Sequence, residues 1–278
     1  MKKNKIIILG SNSFIAKSVI KKLKSKEIEI KKISRREINL SKKSECIKLK
    51  KYINKNDKVL FIAAKAPVKN IDMLIYNLRI CQNICNFVDK NLIKHITYIS
   101  SDAVYKDSSK PLNENSLVEP DSLHGLMHMT REKILKSTYG NKLCILRPTL
   151  IYGRNDPHNG YGPNKFLRNA ISKTNIQLFG KGEEKRDHVW VEDVAEITVK
   201  CIIKNITETL NITSGKILTF KDIAKIIREK FGSNIKIIEN KRVGPMPHNG
   251  YREFDNKRIN KVFKSFKFNS LKNWIQNL

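Results

Sequence analysis

Two histidines, His124 and His128, stand four residues apart in the stretch SLHGLMHMTRE (122–132), one helical turn from each other on the same face. An imidazole, whose ordinary pKa is about 6.5, takes up and returns protons at neutral pH without help from a neighbour. A second stretch with chemical content lies near the start of the chain, where Gly10-Ser-Asn-Ser-Phe-Ile-Ala16 follows an apolar run and opens a helical one. Small residues fill its three spaced positions: Gly10 for a tight turn, Ser13 for close approach of the backbone to a pyrophosphate, Ala16 for helix-to-strand packing. Asn12, Ser13, Phe14 and Ile15 carry the first amides of that helix, whose positive dipole end favours an anion. Taken singly, each motif has a plainer reading: a structural βα turn, and histidines satisfied inside a core.

The elements that must position these residues alternate. Lys5–Leu9 reads as a buried strand, and Ala16, Val19, Ile20 and Leu23 then recur at helical spacing. Strands are expected at Glu29–Ser34, Lys58–Ala64, His95–Ser101 and Lys142–Arg147. Helices are expected at Ser44–Ile53, Asn70–Val88 and His124–Ser137. Near-continuous apolar strands separated by helices predict an α/β fold with a Rossmann-type, doubly wound parallel sheet. After Pro148 the texture changes, and Asp156–Asn164 reads as a loop rich in Gly, Pro and Asn. Shorter signals follow at Gln177–Phe179, Val191–Ile203, Phe220–Phe231 and Ile235–Ile238, then a turn-rich Val243–Gly250 and two amphipathic C-terminal pieces. Residues 1–160 are expected to form a dinucleotide-binding domain. Residues 161–278 should form a smaller C-terminal substrate lobe packed with it as one compact unit.

Composition bounds the function class. With 278 residues and 40% apolar side chains the chain has enough material for a real core. No stretch approaches the roughly 18 uninterrupted apolar residues of a membrane span, and Ile6–Leu9 is too short for a signal-peptide core, so a cytoplasmic protein is expected. The formal charge of +29 is spread over most helices and loops rather than gathered with aromatics into one patch. A solvated basic surface that draws in anionic small molecules is expected, not a nucleic-acid or membrane partner. The five cysteines are scattered and odd in number, and Cys81 and Cys85 lack a second ligand pair, so free thiols and no metal site are expected.

The end of the second strand speaks to the cofactor. An acidic residue there would hold a free ribose 2′-hydroxyl; this chain has Ser34-Arg35-Arg36. Guanidinium forks match a 2′-phosphate, which favours NADP(H) over NAD(H).

With these residues in view, the chain resembles the extended short-chain dehydrogenase/reductases, the nucleotide-sugar epimerase/dehydratase/reductase group, over nearly its whole length. The resemblance rests on Gly10–Ala16, Phe61-Ile-Ala-Ala64, Asn77, Ser100-Ser-Asp-Ala-Val-Tyr105, Arg147-Pro-Thr-Leu-Ile-Tyr-Gly153, Phe179-Gly-Lys-Gly182 through Arg186-Asp187, and Val191-Glu-Asp-Val194. It implies that Ala63 and Ala64 line the cofactor, that Asn77 is a cofactor-binding residue, and that Pro148 to Ile151 lies near the nicotinamide. It also implies that Arg186 holds a substrate diphosphate, and that Asn164 and Phe166 contact substrate. Ser101 falls on the active-site Ser/Thr, followed by Asp102. The next residue is Ala103, where the dehydratases carry a glutamate, which counts against dehydration. His124 and His128 fall on the Tyr and Lys of the usual Tyr-x-x-x-Lys pair.

That substitution leaves three accounts. In the first, His124 is the acid/base and His128 replaces the lysine as a donor to the cofactor ribose. In the second, Asp102 or Tyr105 moves the proton and His124 shapes the pocket. In the third, redox catalysis is lost and the fold only binds nucleotides. Tyr161, in the loop, and Tyr251 and Arg252, in the late turn, are further candidates to touch a sugar. The resemblance implies a nucleotide-diphosphate sugar as substrate and hydride transfer at C4, as a reductase or, with tightly held cofactor, an epimerase. Self-association, where it occurs, is expected to give a homodimer.

Overall fold

The computed structural model describes residues 4–278. In chain order the first elements are β1 (Ile6–Leu9), α1 (Phe14–Lys24), β2 (Ile30–Ile33), α2 (Lys43–Cys46), β3 (Lys58–Phe61), α3 (Ile71–Phe87), β4 (His95–Ile99), α4 (Leu123–Tyr139) and β5 (Leu143–Pro148). Then come β6 (Leu150–Tyr152), α5 (Pro163–Ile171), β7 (Ile176–Phe179), β8 (Lys185–Trp190), α6 (Val191–Lys204), β9 (Thr209–Ile212) and β10 (Ile217–Thr219). The chain closes with α7 (Phe220–Phe231), β11 (Ile237–Asn240), β12 (Tyr251–Arg252), α8 (Lys257–Val262) and α9 (Leu271–Gln276).

Two compact units result. The first holds the chain up to Lys106, Asn115–Pro148 and Val194–Leu210; the second holds Asp107–Glu114, Thr149–Asp193 and Asn211–Leu278. The sheet of the first unit runs β2-β1-β3-β4-β5-β9, and β1 pairs in parallel with both β2 and β3, as β4 does with β3 and β5. Every residue of β1, β4 and β5 is buried, as expected of parallel strands covered on both faces. The core beneath them is built from Ile7, Leu9, Phe61, Ile80, Ile84, Tyr98, Leu135 and their neighbours. The chain leaves β1 toward α1, and the next strand but one returns on the other side of β1. The carboxyl ends of β1 and β3 therefore flank the point where strand order reverses, which is where open α/β sheets bind ligands.

The helices start where local chemistry lets them. Ser13, Asn70 and Ser122 cap α1, α3 and α4 by accepting from the amides of Ala16, Met73 and Gly125. Thr219 and Asp222 form a reciprocal capping box on α7.

Several boundaries differ from the sequence reading. The expected helix Ser44–Ile53 is a short α2 followed by a 3-10 turn over Ile47–Lys51. The third strand stops at Phe61, because Ala63 must turn to pack against Gly10. The supposed loop through Asn164 ends earlier, since Pro163 opens α5 and puts Asn164 in its first turn. The second unit has its own small sheets, β10-β8-β12 with β6 beside β8, and β7 with β11. Its core contains Phe166, Leu178, Phe220, Ile223 and Ile275. No helix among the described residues is long and apolar enough to cross a membrane.

Candidate active site

In the first unit the site grows from three strand ends. Gly10 follows β1 with φ +97°, and a Cβ there would lie 2.7 Å from the Cα and N of Ala63. Only glycine allows the two turns to touch, so Gly10 and Ala63 form one floor for a ligand backbone. Ser13 spends its hydroxyl on capping α1, 3.2 Å from the Ala16 amide. Asn12 is exposed at the tip of this turn, and Phe14 and Ile15 are half-buried on the first turn of α1. A turn held this closely suits a dinucleotide pyrophosphate at the helix start.

Asn77 is fully buried, and its side chain is spent on the protein's own backbone. Its amide nitrogen donates to the carbonyls of Lys65 (2.9 Å) and Met73 (2.8 Å), and its side-chain oxygen accepts from the Lys65 amide (2.9 Å). It thereby clamps the strand end that carries the half-buried Ala63 and the exposed Ala64. Arg35 and Arg36 are exposed just past β2, and the Arg35 guanidinium stands over the Tyr76 ring at 5.7 Å. Glu37, which the sequence reading passed over, accepts from the Ser34 amide at 2.9 Å. That bond, more than its Lys31 partner, holds the Glu37 carboxyl below the usual carboxylate range.

The third strand end, β4, leads through Ser100 into a 3-10 turn over Asp102–Val104. Ser101 caps it: the hydroxyl accepts from the Ala103 amide (3.1 Å) and donates to Asp102 Oδ1 (3.2 Å). Helix α4 is pressed against this turn at Gly125, where any Cβ would collide with the Ala103 carbonyl oxygen and lie 2.5 Å from Pro120 Cβ. His124, the preceding residue, is thus carried to the same turn. The His124 and His128 rings meet edge to face with centroids 4.8 Å apart. His124 is half-buried and His128 is 6% exposed. Burial first, then the charges of His124 and Arg131, push the His128 pKa far down, so this imidazole is neutral where a lysine would be charged.

Tyr105 is turned inward, 2% exposed, and its hydroxyl accepts from Arg147 at 2.7 Å. The pairing of Arg147 with Glu132, and the parts played by Arg131 and Tyr98, could not be read from the sequence. Charged residues three or four positions from His128, in a helix with a buried face, were the available signal.

In the second unit, β12 lies parallel to β8 with Arg252 opposite Arg186, and both side chains are buried. Arg186 donates to the Pro247 carbonyl (3.1 Å) and pairs with Glu184 (3.4 Å). Arg252 donates to Asp107 Oδ1 at 2.6 Å, and His248 contacts the same oxygen. Two adjacent guanidinium groups suit a diphosphate. Tyr251 points to the other face of its strand, where its hydroxyl bonds Glu253. Phe166 is wholly buried against Tyr161 and Phe220, and the Tyr161 hydroxyl accepts from the Phe179 amide at 3.1 Å. These two aromatics pack the core. Asn164 accepts from the Gly153 amide (3.0 Å) and donates to Asp156 (2.8 Å), which ties down its loop. Ile151 is half-buried in β6, opposite Val189 of β8, while Pro148 ends β5 and is buried. All five cysteines are free thiols, with Cys85 half-buried and the others buried.

The pattern of the NAD dependent epimerase/dehydratase family matches residues 6–213. A Methanocaldococcus jannaschii protein, provisionally named a UDP-glucose 4-epimerase, is 28% identical over 253 residues, 82% of this chain and 82% of its own length. The UDP-glucose 4-epimerase of Thermus thermophilus in complex with NAD superposes with a TM-score of 0.80 at 16% identity, covering 98% of this chain and 96% of that one. The GDP-mannoheptose C4 reductase of Campylobacter jejuni with NADP bound gives a TM-score of 0.82 at 17% identity, covering 99% and 97%. At such identities the two structures speak to the fold.

Proposed function

The chain belongs to the NAD dependent epimerase/dehydratase family, and we propose that it is an NAD(P)-dependent oxidoreductase acting on a nucleotide-activated sugar, at C4, as a keto-sugar reductase. The observation that carries this reading is the His124–His128 ring pair, 4.8 Å apart, on the helix that abuts the Ser101–Ala103 turn. The nicotinamide supplies the hydride when bound; the protein orients the reactants and moves one proton. His124 gives a proton to the sugar oxygen, and the Ser101 hydroxyl hydrogen-bonds that oxygen. In this structure the hydroxyl donates to the neighbouring Asp102, and it turns that hydrogen to the sugar oxygen when substrate binds. His128 serves as a neutral hydrogen-bond donor to the ribose.

Gly10 with Ala63, the first amides of α1, and Pro148 fit a dinucleotide, and Asn77 holds that floor in shape. Arg35 and Arg36 are the proposed contacts to a 2′-phosphate, which makes NADPH the preferred donor. In the second unit, Arg186 and Arg252 are the proposed diphosphate contacts.

An epimerase that keeps its cofactor through the cycle is the second reading. It is favoured by Glu37, whose carboxylate at the end of β2 is of the type that binds a free ribose 2′-hydroxyl.

Incubating the protein with a panel of nucleotide sugars and 4-keto nucleotide sugars, with each cofactor, and reading products by mass spectrometry separates these. NADPH consumption with a reduced sugar supports the reductase. Interconversion of sugars without net redox replaces it by the epimerase. Tight nucleotide binding with neither product overturns both in favour of a silent binding protein.

A further inference from the structure

We propose that Arg131 and Tyr98 form a buried positioning relay that fixes the His128 proton on Nε2, the nitrogen left to face a ligand. This rests on the role given to His128 above and specifies how that imidazole is held. The Tyr98 oxygen lies 2.7 Å from His128 Nδ1, and Tyr98 is fully buried. A hydroxyl with no access to water must donate its proton. His128 Nδ1 is the hydrogen-bond partner of the phenol at 2.7 Å, and the Arg131 guanidinium, whose charge also acts on the phenol, has only donors and cannot accept from it. The acceptor is therefore Nδ1, and an imidazole that accepts at Nδ1 carries its hydrogen at Nε2.

Arg131 gives the relay its fixed polarity. It is 1% exposed, and its hydrogen bonds go to the Asn77 carbonyl (3.1 and 2.6 Å), the Asn77 side-chain oxygen (3.1 Å) and the Ala63 carbonyl (3.0 Å), with the Phe61 ring beneath it at 5.0 Å. Guanidinium stays charged even there. One residue thus grips the Ala63 floor and keeps a positive charge three positions from His128, on the same helix face. The fixed charge sits on Arg131, bonded to Asn77 and Ala63 in the core, and the lysine position itself carries the neutral His128. The titratable groups acting on Tyr98 are Arg131, Cys81 of α3 and Glu132; those acting on His128 are His124 and Arg131. Arg131 opposes protonation of His128, so the tautomer persists as the pH falls.

Nitrogen NMR of protein labelled with 15N-histidine, without cofactor, reads this directly, with His128 assigned by loss of its signals in His128→Gln. The expected result is a bare Nδ1 and a protonated Nε2, unchanged between about pH 5 and 8. Tyr98→Phe should convert that pattern to a tautomer mixture. It should also weaken NADPH binding about five- to tenfold, as expected for one misplaced hydrogen bond. Arg131→Lys should loosen the tautomer in the same direction; if that variant fails to fold, Tyr98→Phe alone decides. A protonated Nδ1 in the parent protein, a Tyr98→Phe spectrum identical to it, or unchanged NADPH affinity in Tyr98→Phe each overturns the relay. If the parent protein binds neither NADPH nor NADH, the functional reading falls and takes the positioning role with it, while the tautomer assignment stands by itself.

Discussion

Arg147 at the end of β5 and Glu132 in α4 form a bidentate ion pair whose side chains are 3% and 4% exposed. Nε lies 2.8 Å from Oε1 and Nη2 2.5 Å from Oε2. Ser100 donates to Oε1 at 2.6 Å, and the third arm of the guanidinium holds Tyr105. The residues just before and just after the Ser101–Val104 turn are thus anchored to one buried pair, and the turn inherits its position from them.

A pair so deeply buried is costly to break from one side. Arg147→Met or Glu132→Leu should each destabilise the protein by about 3–5 kcal/mol, because the remaining partner is left charged and unsatisfied in the core. The double variant Arg147→Met/Glu132→Leu should recover most of that loss. Urea denaturation of the four proteins measures it. Single losses that simply add in the double variant would show that the two residues do not act as a pair.

His124→Ala should reduce turnover on the identified substrate by about a hundredfold to ten-thousandfold, the range for a positioned acid/base, with little change in cofactor affinity. His124→Tyr should not restore it, because His128 offers no fixed charge to lower the phenol pKa. Near-parental rates for either variant remove the imidazole from the proton step and leave Asp102 as the group to test.

Replacing both Arg35 and Arg36 by Ala should weaken NADPH binding about tenfold to a hundredfold while leaving NADH nearly unchanged, since charged hydrogen bonds contribute about 1.5–3 kcal/mol. Titration of both cofactors by intrinsic fluorescence reads the ratio. Equal weakening for both, or for neither, excludes a 2′-phosphate contact and turns attention to Glu37.

Stability should fall on mild acidification. Burial lowers the pKa of His95 and His128, and carries that of His188 down to about 3. The unfolded chain then binds protons that the folded chain refuses. Stabilisation from these groups is complete above about pH 6.5 and is lost as the pH drops below it toward the folded values. Each such histidine costs about 1.4 kcal/mol per pH unit in that window. Thermal unfolding followed at pH 7.5, 6.5 and 5.5 should show a declining midpoint, shallower in His188→Phe. A midpoint that rises on acidification contradicts the assignment of neutral buried imidazoles.

Much of this was legible along the chain. Apolar runs of four to six residues marked β1, β3, β4 and β5 to within a few positions, because a parallel strand covered on both faces must be apolar throughout. Gly10 was legible as special, though the sequence did not show that it lies against the backbone of Ala63, nor that Gly125 lies against the Ala103 carbonyl. Phe166, Tyr161 and Asn164 were read as substrate contacts, and the structure uses their side chains for packing and loop closure.

Local order by itself determined the alternating strands and helices, their caps, the small-residue turn at Gly10 and the imidazole pair on one helix face. These depend on spacing within a few residues, which a one-dimensional pattern carries. Tertiary structure alone decided what surrounds those groups: Arg131 gripping Ala63 and Asn77 across 68 and 54 positions of chain, Tyr98 aimed at His128, and Glu132 tied to Arg147. The physical reason is burial. A polar side chain shut away from water must find its partner wherever the fold brings one, and the tautomer and charge of the site follow from that partner.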